Sequence, residues 1–234
     1  MLRTPERRAR FAAINAAIEF TFFDAIDGAT MAEVAANLGR NGMPYTPGAV
    51  GCALSHVNLW RRCIDENRPL TIIEDDAVLR RDFADLSAAI IGRLPAGWDL
   101  ILWGWNFDSV LALNVMPGIS EAVLVFSQDD LRKSMDLFQA GAAAPCVLPL
   151  DKCFGIPGYS MSPKGAAAFT AGCIPLANEP VFFPRIGMRP NNGIDVAMNR
   201  LFPMTQSFVV LPPLVATPNI NEESATLARK PAPG

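Results

Sequence analysis

The chain alternates between short apolar runs and longer segments whose apolar residues recur every three or four positions. Such a spacing places apolar side chains on one face of a helix, whereas short unbroken runs are typical of buried strands. The alternation predicts an α/β domain with a mixed sheet flanked by helices. The strand-length runs span residues 20–23, 70–73, 98–104, 121–126, 145–150, 154–161 and 207–211.

Capping residues and prolines mark where several helices begin. Ser162 and Pro163 form an N-cap and first-turn pair, and Asp82 is expected to cap another helix. Residues 128–139 fit either a helix or a mobile loop, and residues 180–190 are expected to form an irregular loop. The predicted helices span residues 4–18, 30–38, 48–66, 82–94, 162–172 and 193–199.

The apolar run at residues 70–73 stops at three consecutive carboxylates, Glu74, Asp75 and Asp76. If the extended conformation continues, Glu74 and Asp76 share one face, because side chains alternate along a strand. Two carboxylates at this spacing can hold Mg²⁺ or Mn²⁺ and leave positions for diphosphate oxygens. A simpler interpretation of the same three residues is a solvated, acid-rich strand end.

The composition limits the number of domains, the class of partner and the kinds of metal site that the chain can have. A chain of 234 residues, half of them hydrophobic, favours one large domain or one domain with a small lobe. The net charge of −3 gives no reason to expect a nucleic-acid partner. One histidine excludes a multi-histidine metal site. Five scattered cysteines argue against a disulfide framework and against structural zinc, and they indicate reduced thiols in a cytoplasmic protein. Neither a membrane-spanning segment nor a signal peptide is expected. The predicted domain spans residues 1–216, and residues 217–234 are predicted to be a disordered tail.

Two further groups of polar residues lie on predicted helices. Arg7 and Arg8 belong to a basic helix face that is either solvated or in contact with a phosphate-bearing donor or a membrane surface. Ser55 and His56 lie one turn inside the helix that Gly48 opens, where a helix N-terminus attracts anions. A lone histidine in a helix serves either in packing or in binding.

These motifs together resemble glycosyltransferase family 25. Residues 51–56 (G-C-A-L-S-H) and Trp60 are followed by residues 73–78 (I-E-D-D-A-V) at a characteristic separation. Further similarities are residues 23–28, 98–104 and 159–166, and Asp195 after a proline-rich loop. The resemblance covers roughly residues 3–202.

The resemblance implies a GT-A-like fold with a single Rossmann-type domain. It also implies inverting transfer of a hexose, often galactose, from a UDP-sugar to a hydroxyl of a glycan acceptor such as lipopolysaccharide or lipooligosaccharide. By this likeness Asp76, with Glu74, would bind Mn²⁺ or Mg²⁺, and Asp75 would contact ribose or metal. Arg7, Arg8, Ser55 and His56 would border the donor.

Inversion requires a base that takes the acceptor proton. Asp195 is the first candidate and Asp108 the second, although Asp195 can equally cap its helix. Arg185 and Arg189 either clamp the diphosphate or are solvated loop charges.

One departure from the family pattern is that only Met1 and Leu2 remain of its usual first strand. The alternative function is therefore a non-catalytic nucleotide-sugar or glycan-binding relative with a degenerate donor site. A sugar nucleotidyltransferase is a third possibility, but it would require a glycine-rich phosphate loop near the N-terminus, and none is present. A cytoplasmic location, extending to the inner face of the membrane, is expected.

Overall fold

The computed structural model describes residues 5–28 and 45–220. It confirms an α/β fold with a mixed sheet between layers of helices. The helices are α1 (Pro5–Ile14), α2 (Pro47–Asp65), α3 (Phe83–Ile91), α4 (Gln128–Lys133), α5 (Met135–Gln139), α6 (Pro163–Cys173) and α7 (Ile194–Met198), with a 3₁₀ turn at Phe202–Met204. The strands are β1 (Leu70–Ile73), β2 (Val78–Leu79), β3 (Leu100–Gly104), β4 (Val110–Leu113), β5 (Ala122–Val125), β6 (Cys146–Lys152), β7 (Gly158–Met161), β8 (Val181–Phe183), β9 (Gly187–Arg189), β10 (Ser207–Leu211) and β11 (Val215–Ala216).

Within the described residues, a main sheet of seven strands has the order β1-β7-β3-β10-β6-β4-β5. β3 and β10 are parallel, and the other neighbours are antiparallel. β1 and β3 both run antiparallel to β7, so they point the same way. Their carboxyl ends therefore lie at the same edge of the main sheet, where loops can converge on a ligand.

The two faces of the main sheet carry separate cores. Leu100 and Leu102 pack with α2 and α6, whereas Ile101 and Trp103 pack against Phe11 of α1 and Phe83 of α3. Successive side chains of β3 thus point alternately into the two cores, as expected for a strand that is buried on both faces.

The position of β1 differs from the prediction of a fully buried strand. Among the described residues β1 pairs with β7 alone and forms one edge of the main sheet. Ile72 is buried, while its neighbours Thr71 and Ile73 are more exposed. The apolar run correctly predicted a strand, but it could not predict where the strand lies in the sheet, because strand pairing depends on residues that are distant along the chain.

Three local predictions were also wrong. Residues 20–23 form no strand; instead they line the cleft described below. Residues 180–190 include the β8–β9 hairpin rather than an irregular loop. Asp82 precedes α3 but its side chain does not cap the helix, because both carboxylate oxygens accept hydrogen bonds from Arg80. By contrast, the cap by Ser162 is confirmed, since its hydroxyl accepts from the Gly165 amide.

Residues 217–220 are packed, although the sequence assigned them to a disordered tail. Thr217 is buried, and the carbonyls of Thr217 and Pro218 accept hydrogen bonds from Gln128 and Arg132. The predicted helix at residues 30–38, the remnant of the first strand and the rest of the tail lie outside the described residues. No helix in the described ranges combines the length and apolar character needed to cross a bilayer.

Gly104 allows the end of β3 to lie against β11. A Cβ atom at Gly104 would lie 1.9 Å from the Val215 carbonyl oxygen, so backbone would have to move. We expect Gly104→Ala to lower the free energy of unfolding by about 1–3 kcal/mol, as overpacking does in a dense core. Urea denaturation followed by circular dichroism measures this change.

The matched control is Gly92→Ala. Gly92 has helical backbone angles, and a Cβ atom there would lie 3.5 Å from the Ala88 carbonyl oxygen, its nearest neighbour. This variant should retain or slightly raise stability. Equal unfolding midpoints for the Gly104 and Gly92 variants would contradict the packing argument.

Candidate functional site

A cleft of about 990 Å³ opens at the carboxyl ends of β1 and β3. Many of the polar residues singled out from the sequence contribute to its wall, although they come from four separate parts of the chain. These residues are Arg7, Arg8, Ser55, His56, Glu74, Asp75, Asp76 and Asp195.

Residues 74–76, here termed the acidic turn, do not continue β1. The Ala77 amide donates to the Glu74 carbonyl, which closes a tight turn, and the Glu74 amide donates to the Pro157 carbonyl at 2.9 Å. The predicted strand-like alternation of Glu74 and Asp76 is therefore wrong. The turn nevertheless keeps all three carboxylates on the cleft wall, each about one-third exposed.

Arg7 of α1 partly neutralises the acidic turn. Its Nη2 lies 2.7 Å from Asp75 Oδ1 and 3.8 Å from Asp76 Oδ2. Arg8 contacts Asp24 at 2.8 Å and lies over the ring of Phe22, 4.6 Å from its centroid. Both arginines thus face the cleft, and Arg8 is partly engaged by the aromatic segment at residues 20–23.

Asp76 carries the least compensated charge of the acidic turn. Its Oδ1 is shielded from solvent and has no hydrogen-bond partner in the described part of the chain. Burial, and then the neighbouring Glu74 carboxylate, raise the pKa of Asp76 to about 7, against a smaller lowering by Arg7. The site therefore lacks positive charge at this oxygen.

A buried hydrogen-bonded chain lies behind Glu74. Trp60 Nε1 donates to Tyr159 Oη at 2.8 Å, and Tyr159 Oη lies 2.8 Å from His56 Nδ1. His56 Nε2 in turn lies 3.6 Å from Glu74 Oε1. When Tyr159 donates its hydroxyl proton to Nδ1, the ring proton of neutral His56 lies on Nε2, toward Glu74. The His56 ring is therefore buried against Tyr159 on one side and faces Glu74 of the cleft wall on the other.

Ser55 serves the fold of the cleft wall. Its hydroxyl donates to the Gly51 carbonyl and accepts from the Ile26 amide at 2.9 Å. A Cβ atom at Gly51 would lie 2.6 Å from the Ile26 carbonyl oxygen, so glycine permits this close approach of the chain to α2. Residues 26–28 of the chain thus occupy the space beside Gly51.

Asp195 lies in the first turn of α7, on another wall of the cleft. Gly193, and not Asp195, is the N-cap residue, and Asp195 Oδ2 accepts from the Gly155 amide at 3.1 Å. Burial raises the pKa of Asp195, the Gly155 hydrogen bond lowers it, and the charge of Glu74 raises it again. A desolvated carboxylate in such a position can accept a proton from a bound hydroxyl.

The other predicted site residues do not line this cleft. Asp108 is exposed beside a shallower depression, where its carboxylate accepts from Asn219. Arg185 lies at the tip of the β8–β9 hairpin, 3.6 Å from Glu121, and Arg189 is exposed on β9. None of these three residues is among those that line the cleft, so the geometry does not support their assignment to the site.

Several cleft residues were missed by the sequence analysis as site residues. Cys52 lies one helical turn before His56, Gly155 supplies the amide to Asp195, and Asn106 follows β3. Gly155 has a φ of +71°, and a Cβ atom there would lie 2.2 Å from Asn106 Oδ1. The glycine-proline run at residues 155–158 was the available signal, since glycine often marks close backbone approach.

Comparison with known proteins agrees with the motifs of this site. Residues 1–178 match the family model described as glycosyltransferase family 25 (LPS biosynthesis protein). A 64-residue stretch, 26% of the chain, is 36% identical to a "Glycosyltransferase 25 family member" of Anopheles gambiae and covers 11% of it. A 141-residue stretch, 51% of the chain, is 28% identical to "Inactive glycosyltransferase 25 family member 3" of Mus musculus and covers 24% of that protein. The matched regions thus span a quarter or less of these relatives.

The raised pKa of Asp76 predicts a pH-dependent stability in metal-free protein. Between the unfolded value near 4 and the folded value of about 7, the folded state binds more protons, so stability falls as pH rises through this window. Asp76→Asn removes this loss, and we expect the variant to gain on the order of 1 kcal/mol over wild type between pH 4 and pH 8, because partial solvent exposure reduces the full effect.

Denaturation in the presence of a chelator at both pH values measures the difference. Asp136→Asn, at an exposed position of α5, is the control and should follow wild type. The assignment fails if the stability difference between Asp76→Asn and wild type is the same at pH 4 and pH 8.

Proposed function

The chain belongs to glycosyltransferase family 25, and we propose that it transfers a hexose from a UDP-sugar to a hydroxyl of a glycan acceptor, with inversion and with a divalent metal ion. Galactose is the first sugar to test, and lipopolysaccharide or lipooligosaccharide the first acceptor class. The proposal rests on one observation: the acidic turn and Asp195 face the same cleft, although Asp76 and Asp195 are 119 positions apart along the chain.

The chemistry of the acidic turn supports a hard divalent cation. Carboxylate oxygens are the preferred ligands of Mg²⁺ and Mn²⁺. Asp76 Oδ1 has no hydrogen-bond partner among the described residues, and burial raises the pKa of this carboxyl. A cation bound there would supply the positive charge that this oxygen lacks. Asp76 and Glu74 would hold the ion, while Asp75 remains paired with Arg7. When bound, a divalent ion neutralises the negative charge that develops on a departing diphosphate.

Asp195 is proposed as the base. Its Oδ2 is held by the Gly155 amide, which fixes the carboxylate relative to the cleft wall. The carboxylate would accept the acceptor proton as the hydroxyl oxygen attacks the sugar C1 from the face opposite the diphosphate. Burial raises the pKa of Asp195, which increases its basicity for that task.

Arg7 and Arg8 would supply further positive charge to the donor. Guanidinium groups bind phosphate oxygens through paired N–H donors. Phe20, Phe22 and Phe23 line the same cleft and are each a little over one-third exposed, so they offer flat apolar surface for a base or a sugar ring.

A cytoplasmic location, at the inner face of the membrane when the acceptor is lipid-linked, is part of this proposal. All five cysteines are free, which suits a reducing compartment. The basic residues of α1 would provide a peripheral contact with an anionic membrane surface.

A non-catalytic nucleotide-sugar or glycan-binding role is the second candidate. It is favoured by the name of the mouse relative, which carries the word inactive. A binding protein of this kind would hold the UDP-sugar in the cleft without releasing UDP.

Release of UDP from UDP-sugars in the presence of Mn²⁺ tests the proposed activity. We expect Asp195→Asn to lower kcat by about 10²- to 10⁴-fold, because the base is lost while the cleft keeps its shape. Asp76→Asn should abolish the Mn²⁺ dependence. Asp108→Asn is the matched control, since this carboxylate lies outside the cleft, and it should retain the wild-type rate.

Calorimetry and thermal shift with UDP-sugars separate the two candidates. A bound nucleotide that stabilises the folded chain without UDP release would favour the binding role. The enzymatic proposal is refuted if no UDP-sugar or GDP-sugar binds, with or without Mn²⁺.

A further inference from the structure

We propose that Cys52, His56 and Glu74 form a three-ligand site for a zinc-like cation on the α2 side of the cleft. One ligand atom from each residue lies within 4.8 Å of the other two. Neither the family description nor the names of the relatives mention such a site. It differs in ligand chemistry from the all-oxygen site proposed for the acidic turn.

The helix brings two of the ligands together. Cys52 and His56 are four residues apart on α2, so their side chains lie one above the other on one face. Glu74 approaches this face from the acidic turn, with Oε1 at 3.6 Å from His56 Nε2. Two nitrogen or oxygen ligands of a tetrahedral zinc, each at about 2.0–2.1 Å, are about 3.4 Å apart, so the observed separation is nearly correct.

The orientation of His56 also suits a metal ligand. Tyr159 Oη lies 2.8 Å from Nδ1 and fixes the ring so that Nε2 points toward Glu74. With a cation on Nε2, the ring proton would lie on Nδ1 and be donated to Tyr159 Oη. That oxygen has a second lone pair besides the one that accepts from Trp60. Metal-binding histidines commonly have such an outer hydrogen-bond partner.

The charge around Cys52 favours a divalent cation. Four carboxylates, those of Glu74, Asp75, Asp76 and Asp195, line the same cleft as Cys52. Their negative potential attracts a cation, and the bound cation would replace the thiol proton, which is released to solvent.

The ligand set selects the class of metal. Thiolate and imidazole ligands with one carboxylate favour Zn²⁺ and Co²⁺ over Mg²⁺ and Mn²⁺. Three protein ligands leave a fourth position open, and Cys52 lines the cleft, so the position is accessible from solvent. Glu74 would be shared with the proposed Mn²⁺ site, so zinc would compete with manganese for it. This consequence depends on the proposed function, whereas binding at Cys52 does not.

Titration of the metal-free protein with Co²⁺ tests the site directly. A cobalt ion on Cys52 should produce the near-ultraviolet charge-transfer absorption of a cobalt–thiolate bond, and added Zn²⁺ should abolish it. We expect the band to be lost in Cys52→Ser and in His56→Ala. Urea denaturation of each variant verifies that it is folded.

Two controls identify the source of the band. Cys146→Ser removes an exposed thiol on β6 and should keep the band. Asp76→Asn should also keep it, so a failure of the Mn²⁺ proposal would not affect this result. The site is refuted if wild-type protein shows no band, or if the band persists in Cys52→Ser.

Discussion

The concentration of negative charge in one cleft is the constraint on which this structure depends. Glu74, Asp75, Asp76 and Asp195 all line it, and like charges at short range disfavour ionisation. Arg7 compensates Asp75, a backbone amide compensates Asp195, and the imidazole of His56 lies beside Glu74. Asp76 Oδ1 has no partner among the described residues, and burial together with the Glu74 carboxylate raises the pKa of Asp76 to about 7. The divalent cation proposed above would supply the positive charge that this carboxylate lacks.

One short stretch, residues 155–159, organises the opposing walls of this cleft. Gly155 donates to Asp195, Pro157 accepts from the Glu74 amide, and Tyr159 holds His56. The same stretch leads into β7, which pairs with both β1 and β3. The acidic turn and the proposed base are thus connected through hydrogen bonds to one short loop, residues 155–157, that leads directly into the main sheet.

Family membership and catalytic competence are separate questions for this chain. A fold and its family can host active and inactive members, and the residues of the site decide between them. The mouse relative is named as inactive, and the matched regions are a small part of both relatives. The present cleft contains three consecutive acids, a half-buried aspartate held by a backbone amide and two arginines. The proposal that the chain is an enzyme therefore depends on those residues and not on the family name.

The sequence by itself determined the α/β class, the positions of most strands and helices, and the carboxylates of the site. These features depend on local periodicity and on the chemistry of neighbouring residues, and both can be read from the order of the residues alone. Only the tertiary structure decided that β1 is an edge strand among the described residues, that the acids form a turn, and that Asp108, Arg185 and Arg189 lie outside the cleft. The partners of His56 and Asp195, namely Tyr159 and Gly155, were likewise not predictable, because they are about 100 and 40 residues away along the chain. Contacts of this kind follow from strand pairing and core packing, which no local pattern specifies.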